Sequence, residues 1–468
     1  MPVATAEPDL LRGLAVAVGD AADAALAIAG SAARLSGDIS PVLAVDPVAR
    51  WGVAWRRSLA ERADLLEAIA PVAGRLIDAH HLALAVNGAD HALTTTLAVP
   101  WEDLDGAVNA AVGAVDWLLA HQPAPIIAGF LASLDAAVAT ALARRRPEIA
   151  DIPGVRLDMV FAANRRRIEL AIADIDWRLA GADRDMAVTL AAEREILIGM
   201  LSRHFVVFDW SGDGHLAEWV GPLDADHVAV LVPGMTTDKL DVDLTAANAA
   251  RMLRFDRDGD LAVVTALVYD APDFADATLP AAATDGIGGL ARLIEVLPVS
   301  DRHLTLIGHS YGSLLLGKAL AGGLAADLPP RHDVVFIGSP GTGVDTAADL
   351  GLDPGHVWAS GTDDDIVIRL RNLPGLAALT PFGFGSPLAG WAVDQYFGTL
   401  PNKSGFGARV FAGGDGGHSD YLSSETVTTD DGQVCRAIEV ASAALAAIIA
   451  IATARSRRRQ ADRATEDG

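Results

Sequence analysis

Lysine is almost absent from this chain: Lys239, Lys318 and Lys403 are the only three in 468 residues, and carboxylates outnumber all basic side chains 61 to 36. A net charge of −25 and a pI near 4.7 leave no positive surface for a phosphate backbone, which excludes nucleic acid as a partner. The scarcity argues equally against a lysine Schiff base. Cysteine is scarcer still. The single Cys435 cannot close an intrachain disulfide, and no CxxC or HExxH spacing offers a metal site, so neither a metal nor an organic cofactor is implied. Aromatic residues are only 5% of the chain, and alanine supplies much of the 51% that is hydrophobic, a soluble and helix-rich composition.

A long apolar run is also missing. The nearest to one, Val440 to Ala454, is shorter than the roughly 20 residues a span needs. It begins beside Glu439 and ends at Arg455-Ser456-Arg457-Arg458-Arg459. It reads as the last helix of a globular domain, which argues against membrane contact. The start, Met1-Pro2-Val3-Ala4-Thr5-Ala6-Glu7-Pro8, lacks the basic and apolar regions of a signal peptide, so a cytoplasmic location is expected.

What is present divides into two patterns. Residues 1–200 read as a helical N-terminal domain. Leu59, Ala63, Leu66 and Ala70 keep one helical face up to Pro71, and Ile168, Ile172, Ile175 and Leu179 repeat that spacing. Further helices are expected around 9–35, 103–120, 125–145 and 184–202. Trp51, Trp55, Trp101, Trp117 and Trp177 are expected in the core or between helices, and His80-His81 on a helix surface or as a satisfied core pair rather than at a metal.

The pattern changes at His204. Phe205 to Phe208, a turn at Ser211-Gly212-Asp213-Gly214, and His215 to Val220 predict an antiparallel hairpin. Short apolar runs then alternate with helical stretches: Val228 to Val232, Ala262 to Tyr269, Leu304 to Ile307, Val334 to Ile337, Val357 to Ala359 and Arg409 to Phe411. This predicts an α/β domain over 201–454, a mostly parallel sheet with helices on both faces, followed by a disordered polar tail over 455–468. The run Asp256-Arg257-Asp258-Gly259-Asp260 lacks the glycine position and the later glutamate of a calcium loop and is expected to be a turn.

Within that domain one stretch carries chemistry. Leu304 to Ile307 reads as a buried strand, Gly308-His309-Ser310-Tyr311-Gly312 matches G-x-S-x-G, and Ser313 begins a helix. Strand, sharp turn and helix together make a nucleophile elbow. Gly308 and Gly312 are required because the backbone there passes too close to its neighbours for a Cβ. A serine hydroxyl needs a base, and the base needs a carboxylate to hold its tautomer. In such a sheet these follow in the order serine, acid, histidine on loops after later strands. The trio Asp363-Asp364-Asp365 follows the strand at Val357, and His418 lies in a glycine-rich loop after the strand at Arg409. Asp364 is taken as the acid, 54 residues beyond Ser310 and 54 before His418, with Asp363 and Asp365 left open; the trio also suits a solvated loop or a helix N-cap. The oxyanion donors are expected from the amides of Tyr311 and of Met235, in the loop Pro233-Gly234-Met235-Thr236.

Six separated motifs stand in order along residues 150 to 435: Pro153-Gly154-Val155-Arg156-Leu157-Asp158 with Ala162-Ala163-Asn164-Arg165; the Ser211 to Gly214 turn; Val232 to Met235; Gly308 to Ser313; Gly338-Ser339-Pro340-Gly341 with Gly343-Val344-Asp345; and Gly417-His418-Ser419-Asp420-Tyr421. Together they resemble the actinobacterial α/β-hydrolase family first catalogued as a domain of unknown function. The resemblance implies an α/β-hydrolase fold and a serine-hydrolase triad, and it implies no substrate. One departure falls at the acid, where the family usually carries Gly-Asp-Pro-Ile and this chain has Asp363-Asp364-Asp365-Ile366; aligning on the isoleucine selects Asp364. A second is the segment Arg369 to Gly398, whose Phe382, Phe384, Trp391, Tyr396 and Phe397 could line a pocket or pack as a surface loop.

The expected function is a serine hydrolase, an esterase or lipase-like acyl hydrolase acting on small-molecule esters. Acyl transfer by the same serine is the nearest rival, since acyl-carrier transferases share Gly-His-Ser-x-Gly. A catalytically silent scaffold, with a protein partner on the helical half, is the reading of a different class.

Overall fold

A computed structural model describes residues 104–273, 280–362, 364–372, 396–430 and 435–454. The helices expected before residue 103, Trp51, Trp55, Trp101, His80, His81, Asp363, Phe382, Phe384, Trp391 and the tail lie outside the described residues. The chain forms two compact units, Met1–Val138 and Ala139–Gly468. In the first, helices α1 (Leu104–His121) and α2 (Ala124–Ala132) pack together. Pro123 caps the start of α2, where a missing N–H costs nothing.

The helix α3 (Ala136–Arg145) spans the point where one unit gives way to the other. The expected boundary at residue 200 falls within the second of these units. The helices α4 (Leu157–Leu179) and α5 (Arg184–Met200) belong with the sheet. Ile168, Ile175, Leu190, Leu197 and Met200 share one core with Phe205 and Phe208 of strand β1 (Phe205–Asp209) and Leu216 of β2 (His215–Val220). The physical reason is that β1 is the edge of the sheet and its unpaired groups need cover. Buried Asn164 on α4 donates from Nδ2 to the carbonyls of Phe205 at 2.9 Å and Val206 at 2.8 Å, beside a β-bulge. Trp177 departs from its expected place: it is 78% exposed, because it sits two residues past Ile175 and so points away from the buried stripe.

The sheet has eight strands in the order β1-β2-β4-β3-β5-β6-β7-β8, with β3 at His227–Val232, β4 at Leu261–Leu267, β5 at His303–His309, β6 at His332–Ile337, β7 at Val357–Ser360 and β8 at Arg409–Val410. The hairpin β1–β2 and the β2–β4 pair are antiparallel; the rest is parallel. Every residue of β3 and β4 is buried, the pattern of strands covered on both faces. Ala229, Leu231, Ile307 and Val335 pack against α6 (Val242–Phe255) and a C-terminal helix, Ala443–Ala452. The expected turn follows α6: Asp256 accepts from the amides of Asp260 and Leu261, and Gly259 has φ +68°. Past α7 (Ala281–Asp285) and α8 (Ile287–Val296), α9 (Gly312–Ala321) packs on β5 and β3.

The direction of strand addition reverses at β3, with β4 on one side and β5 on the other. That opens a crevice at the carboxyl ends of β3 and β5, the place where sheets of this kind hold ligands. One element was not expected. Strands β9 (Ser424–Asp430) and β10 (Cys435–Ala441) form an antiparallel hairpin, so Val440 and Ala441 end a strand. The last helix begins only at Ala443, where the Ser442 hydroxyl accepts from the Leu445 amide. Among the described residues no helix is long and apolar enough to cross a membrane.

Candidate active site

Ser310 lies at the turn between β5 and α9 with φ +53°, a left-handed backbone that a side chain adopts only under strain. Hydrogen bonds hold it there: its amide donates to the Ile337 carbonyl, the Ser313 amide donates to the Ser310 carbonyl, and the Ser313 hydroxyl donates to the Gly308 carbonyl. The two elbow glycines are sterically required. A Cβ on Gly308 would lie 2.8 Å from Ser313 Cα, and one on Gly312 2.4 Å from the Pro233 carbonyl.

His418 and Asp365 meet this serine. His418 Nε2 is 2.8 Å from Ser310 Oγ, and His418 Nδ1 is 2.9 Å from Asp365 Oδ1 and 3.0 Å from Oδ2. With Nδ1–H donating to the carboxylate, Nε2 is left to accept from the serine hydroxyl. Asp364 is not in this chain of contacts. It is exposed, whereas Asp365, the neighbour that the sequence left open, is fully buried. The reason is local: Asp365 precedes α10 (Ile366–Asn372), and its Oδ1 accepts from the amides of Val367 at 2.8 Å and Ile368 at 3.3 Å. The N-cap and the partner of the histidine are thus one residue. Burial pushes the Asp365 carboxyl up, but the hydrogen bonds from His418 and Tyr421 outweigh it and hold the group below the usual carboxylate range.

Three further groups support this arrangement. Tyr421 donates its hydroxyl proton to Asp365 Oδ2 at 2.7 Å. Gly338, from the Gly338-Ser339-Pro340-Gly341 motif, takes φ +56° directly beneath the cluster. A Cβ there would come within 3.0–3.1 Å of Asp365 Oδ2, Tyr421 Cε2 and His418 Cε1 at once. His309 donates from Nε2 to the His418 carbonyl at 2.9 Å, with its ring centroid 5.0 Å from that of His418. Burial, and then the neighbouring His418, push the His309 imidazole down to about 4, so it remains neutral. Only the position of Tyr421, three residues after the histidine in the same motif, signalled its presence in the site.

Facing the serine is the loop after β3. Gly234 approaches so closely that a Cβ would lie 2.8 Å from Ser310 Cβ. Thr236, with φ +60°, gives its amide to the Pro272 carbonyl, which leaves Met235 between these two fixed positions. Tyr311 is the N-cap residue of α9, immediately after the serine. The loop is tied down from behind by Tyr269, whose hydroxyl donates to the Pro233 carbonyl at 2.9 Å. Among the described residues no group of histidine, cysteine and carboxylate side chains is arranged to hold a metal ion.

The comparisons with known proteins agree with this fold. A family model described as alpha/beta hydrolase matches residues 209–378, a span that includes Ser310 and Asp365 and stops short of His418. An uncharacterized protein of Mycobacterium bovis is 34% identical over 198 residues, covering 38% of this chain and 72% of its own length. An uncharacterized protein of Mycobacterium tuberculosis is 34% identical over 221 residues, 43% of this chain and 32% of that protein, so the chain spans about a third of that relative's length. The chain belongs to the alpha/beta hydrolase family. Among solved structures, a serine hydrolase from Xanthomonas campestris is similar over 44% of this chain and 80% of its own at 16% identity and a TM-score of 0.26, a distance at which likeness says nothing of chemistry.

Proposed function

We propose that this chain is a serine hydrolase that cleaves carboxylic esters through an acyl-enzyme on Ser310. The observation that carries the reading is the contact series Ser310 Oγ to His418 Nε2 at 2.8 Å and His418 Nδ1 to Asp365 Oδ1 at 2.9 Å. In this reading the Ser310 hydroxyl attacks the ester carbonyl carbon as His418 Nε2 takes its proton. Asp365 keeps the ring in the tautomer that can do so and stabilises the imidazolium that forms. The carbonyl oxygen becomes an oxyanion, for which the amides of Tyr311 and Met235 are the assigned donors; removing one such donor raises the barrier by about 3 kcal/mol. Collapse of the tetrahedral species expels the alcohol, which leaves with the proton from His418. Water then repeats the sequence on the acyl-enzyme, returning the acid and the free serine.

Esters are favoured over amides because no peptide-binding cleft is evident in the sequence. A fluorophosphonate probe tests the assignment: the wild-type protein is expected to be labelled and Ser310→Ala is not. Equal labelling of both proteins removes Ser310 from the chemistry.

A further inference from the structure

We propose that Tyr421 is a positioning residue that fixes the Asp365 carboxylate and, through it, the His418 imidazole that faces Ser310. The inference rests on the serine-hydrolase reading above and deepens it. Tyr421 is only 1% exposed, and its hydroxyl has two partners. The Thr362 amide donates to the phenolic oxygen at 3.0 Å, and the phenolic proton is donated to Asp365 Oδ2 at 2.7 Å. Because the amide occupies one side of the oxygen, the proton is directed at the carboxylate. Asp365 is thereby held at both ends. Its Oδ1 takes the Val367 amide and the imidazole, and its Oδ2 takes the phenol, so the carboxylate cannot rotate without losing a donor.

The titratable groups that act on Asp365 are His418, Tyr421 and, at longer range, His309. Burial, together with the carboxylate it faces, pushes the phenol well above its ordinary range, so Tyr421 remains a donor at every working pH. A donor on Oδ2 draws negative charge away from the oxygen atoms that face His418.

Tyr421→Phe keeps the ring and removes the hydroxyl, that is, the donor to Asp365 and the acceptor for the Thr362 amide. The second-order rate of fluorophosphonate labelling, followed from pH 5 to 9, reads the effect without a known substrate. We expect its plateau to fall about tenfold, the scale of one hydrogen bond to a charged group. In an Asp365→Asn background, where only a residual rate is left to follow at high probe concentration, the same substitution is expected to leave that rate unchanged. Thermal melting of each variant reports whether it is folded. Tyr421→Phe with the wild-type plateau overturns the inference, as does an equal fold-loss in both backgrounds, which is what a merely structural role would produce. An unlabelled wild-type protein overturns the hydrolase reading and this inference with it, whereas a labelled wild type with an unchanged Tyr421→Phe profile overturns this inference alone.

Discussion

The sheet carries a buried histidine–aspartate pair at each of its ends. At the carboxyl ends of the strands His418 meets Asp365 at 2.9 Å, and at the amino ends His303 of β5 meets Asp333 of β6 at the same 2.9 Å. Both carboxylates are sealed, with side-chain exposure of 0% and 1%. The difference lies in the far side of each imidazole. His418 is 18% exposed and its second nitrogen faces the hydroxyl of Ser310. His303 is 3% exposed, and its second nitrogen lies 3.0 Å from the carbonyl of Ala452 and 3.2 Å from His227 Nδ1. One pair ends at the strained Ser310 and the other at the carboxyl end of the helix Ala443–Ala452. An imidazole held by a carboxylate is therefore not by itself a site; what the free nitrogen reaches decides whether it moves a proton or pins a helix.

The contrast breaks first on activity. Ser310→Ala and Asp365→Asn are each expected to lower turnover of any ester substrate by roughly 10⁴-fold, since hydroxyl, base and tautomer-holding acid act as one unit. Asp333→Ala is expected to do the opposite, leaving the labelling rate per folded molecule unchanged. It removes the acceptors that lie 2.9 Å from His303 Nε2 and 3.0 Å from the Trp358 indole N–H, so stability should fall by about 2 kcal/mol or more, the cost of leaving buried hydrogen-bonding groups unpaired. Urea unfolding with fluorophosphonate titration of the folded fraction separates the two quantities. Loss of labelling from the Asp333 variant at unchanged stability would make the amino-end pair part of the chemistry.

A smaller effect appears in the pH dependence of stability. Burial, and then His418, put the folded-state His309 at about 4 against an ordinary value near 6.5, and burial with His303 lowers His227 too. The unfolded chain therefore binds protons that the folded chain refuses. Stability should be full above about pH 6.5 and should fall as pH is lowered through the window to about 4, at a slope of up to one proton for each such histidine. Asp365, held below its usual range, adds its loss only at more acidic pH. His309→Gln should flatten the slope in the upper window, and a slope unchanged by that substitution would show that His309 does not titrate as its burial requires.

The strands and the elbow were legible in the sequence because each has a local cause. Val228 to Val232 and Leu304 to Ile307 are apolar runs of strand length, and Gly308 and Gly312 flank a turn that no larger residue permits. His418 was legible from the glycine loop after the last strand of the sheet. The place of α4 and α5 was not, because their apolar stripe looks the same whether it faces other helices or the edge strand β1; only the pairing of Asn164 with Phe205 and Val206 distinguishes these. The hairpin β9–β10 escaped for a related reason. Strand β9 carries a single large apolar residue, Val427, which is 42% exposed, and a strand that buries so little leaves no apolar alternation to read.

The smallest expected effect is the one that separates neighbours. Asp364 and Asp365 are adjacent and chemically identical, and alignment on Ile366 selects the first. Helix capping selects the second, because an N-cap carboxylate must immediately precede the first helical residue, here Ile366, to reach the amides of Val367 and Ile368. A carboxylate in that position is turned inward, and Asp364, one residue earlier, is turned to solvent. Asp364→Asn should accordingly change the labelling rate by less than about twofold, the range of an exposed substitution away from such features. The same change one residue later removes nearly all of it. A strong loss from Asp364→Asn, with labelling retained in Asp365→Asn, would return the acid to the residue that alignment chose.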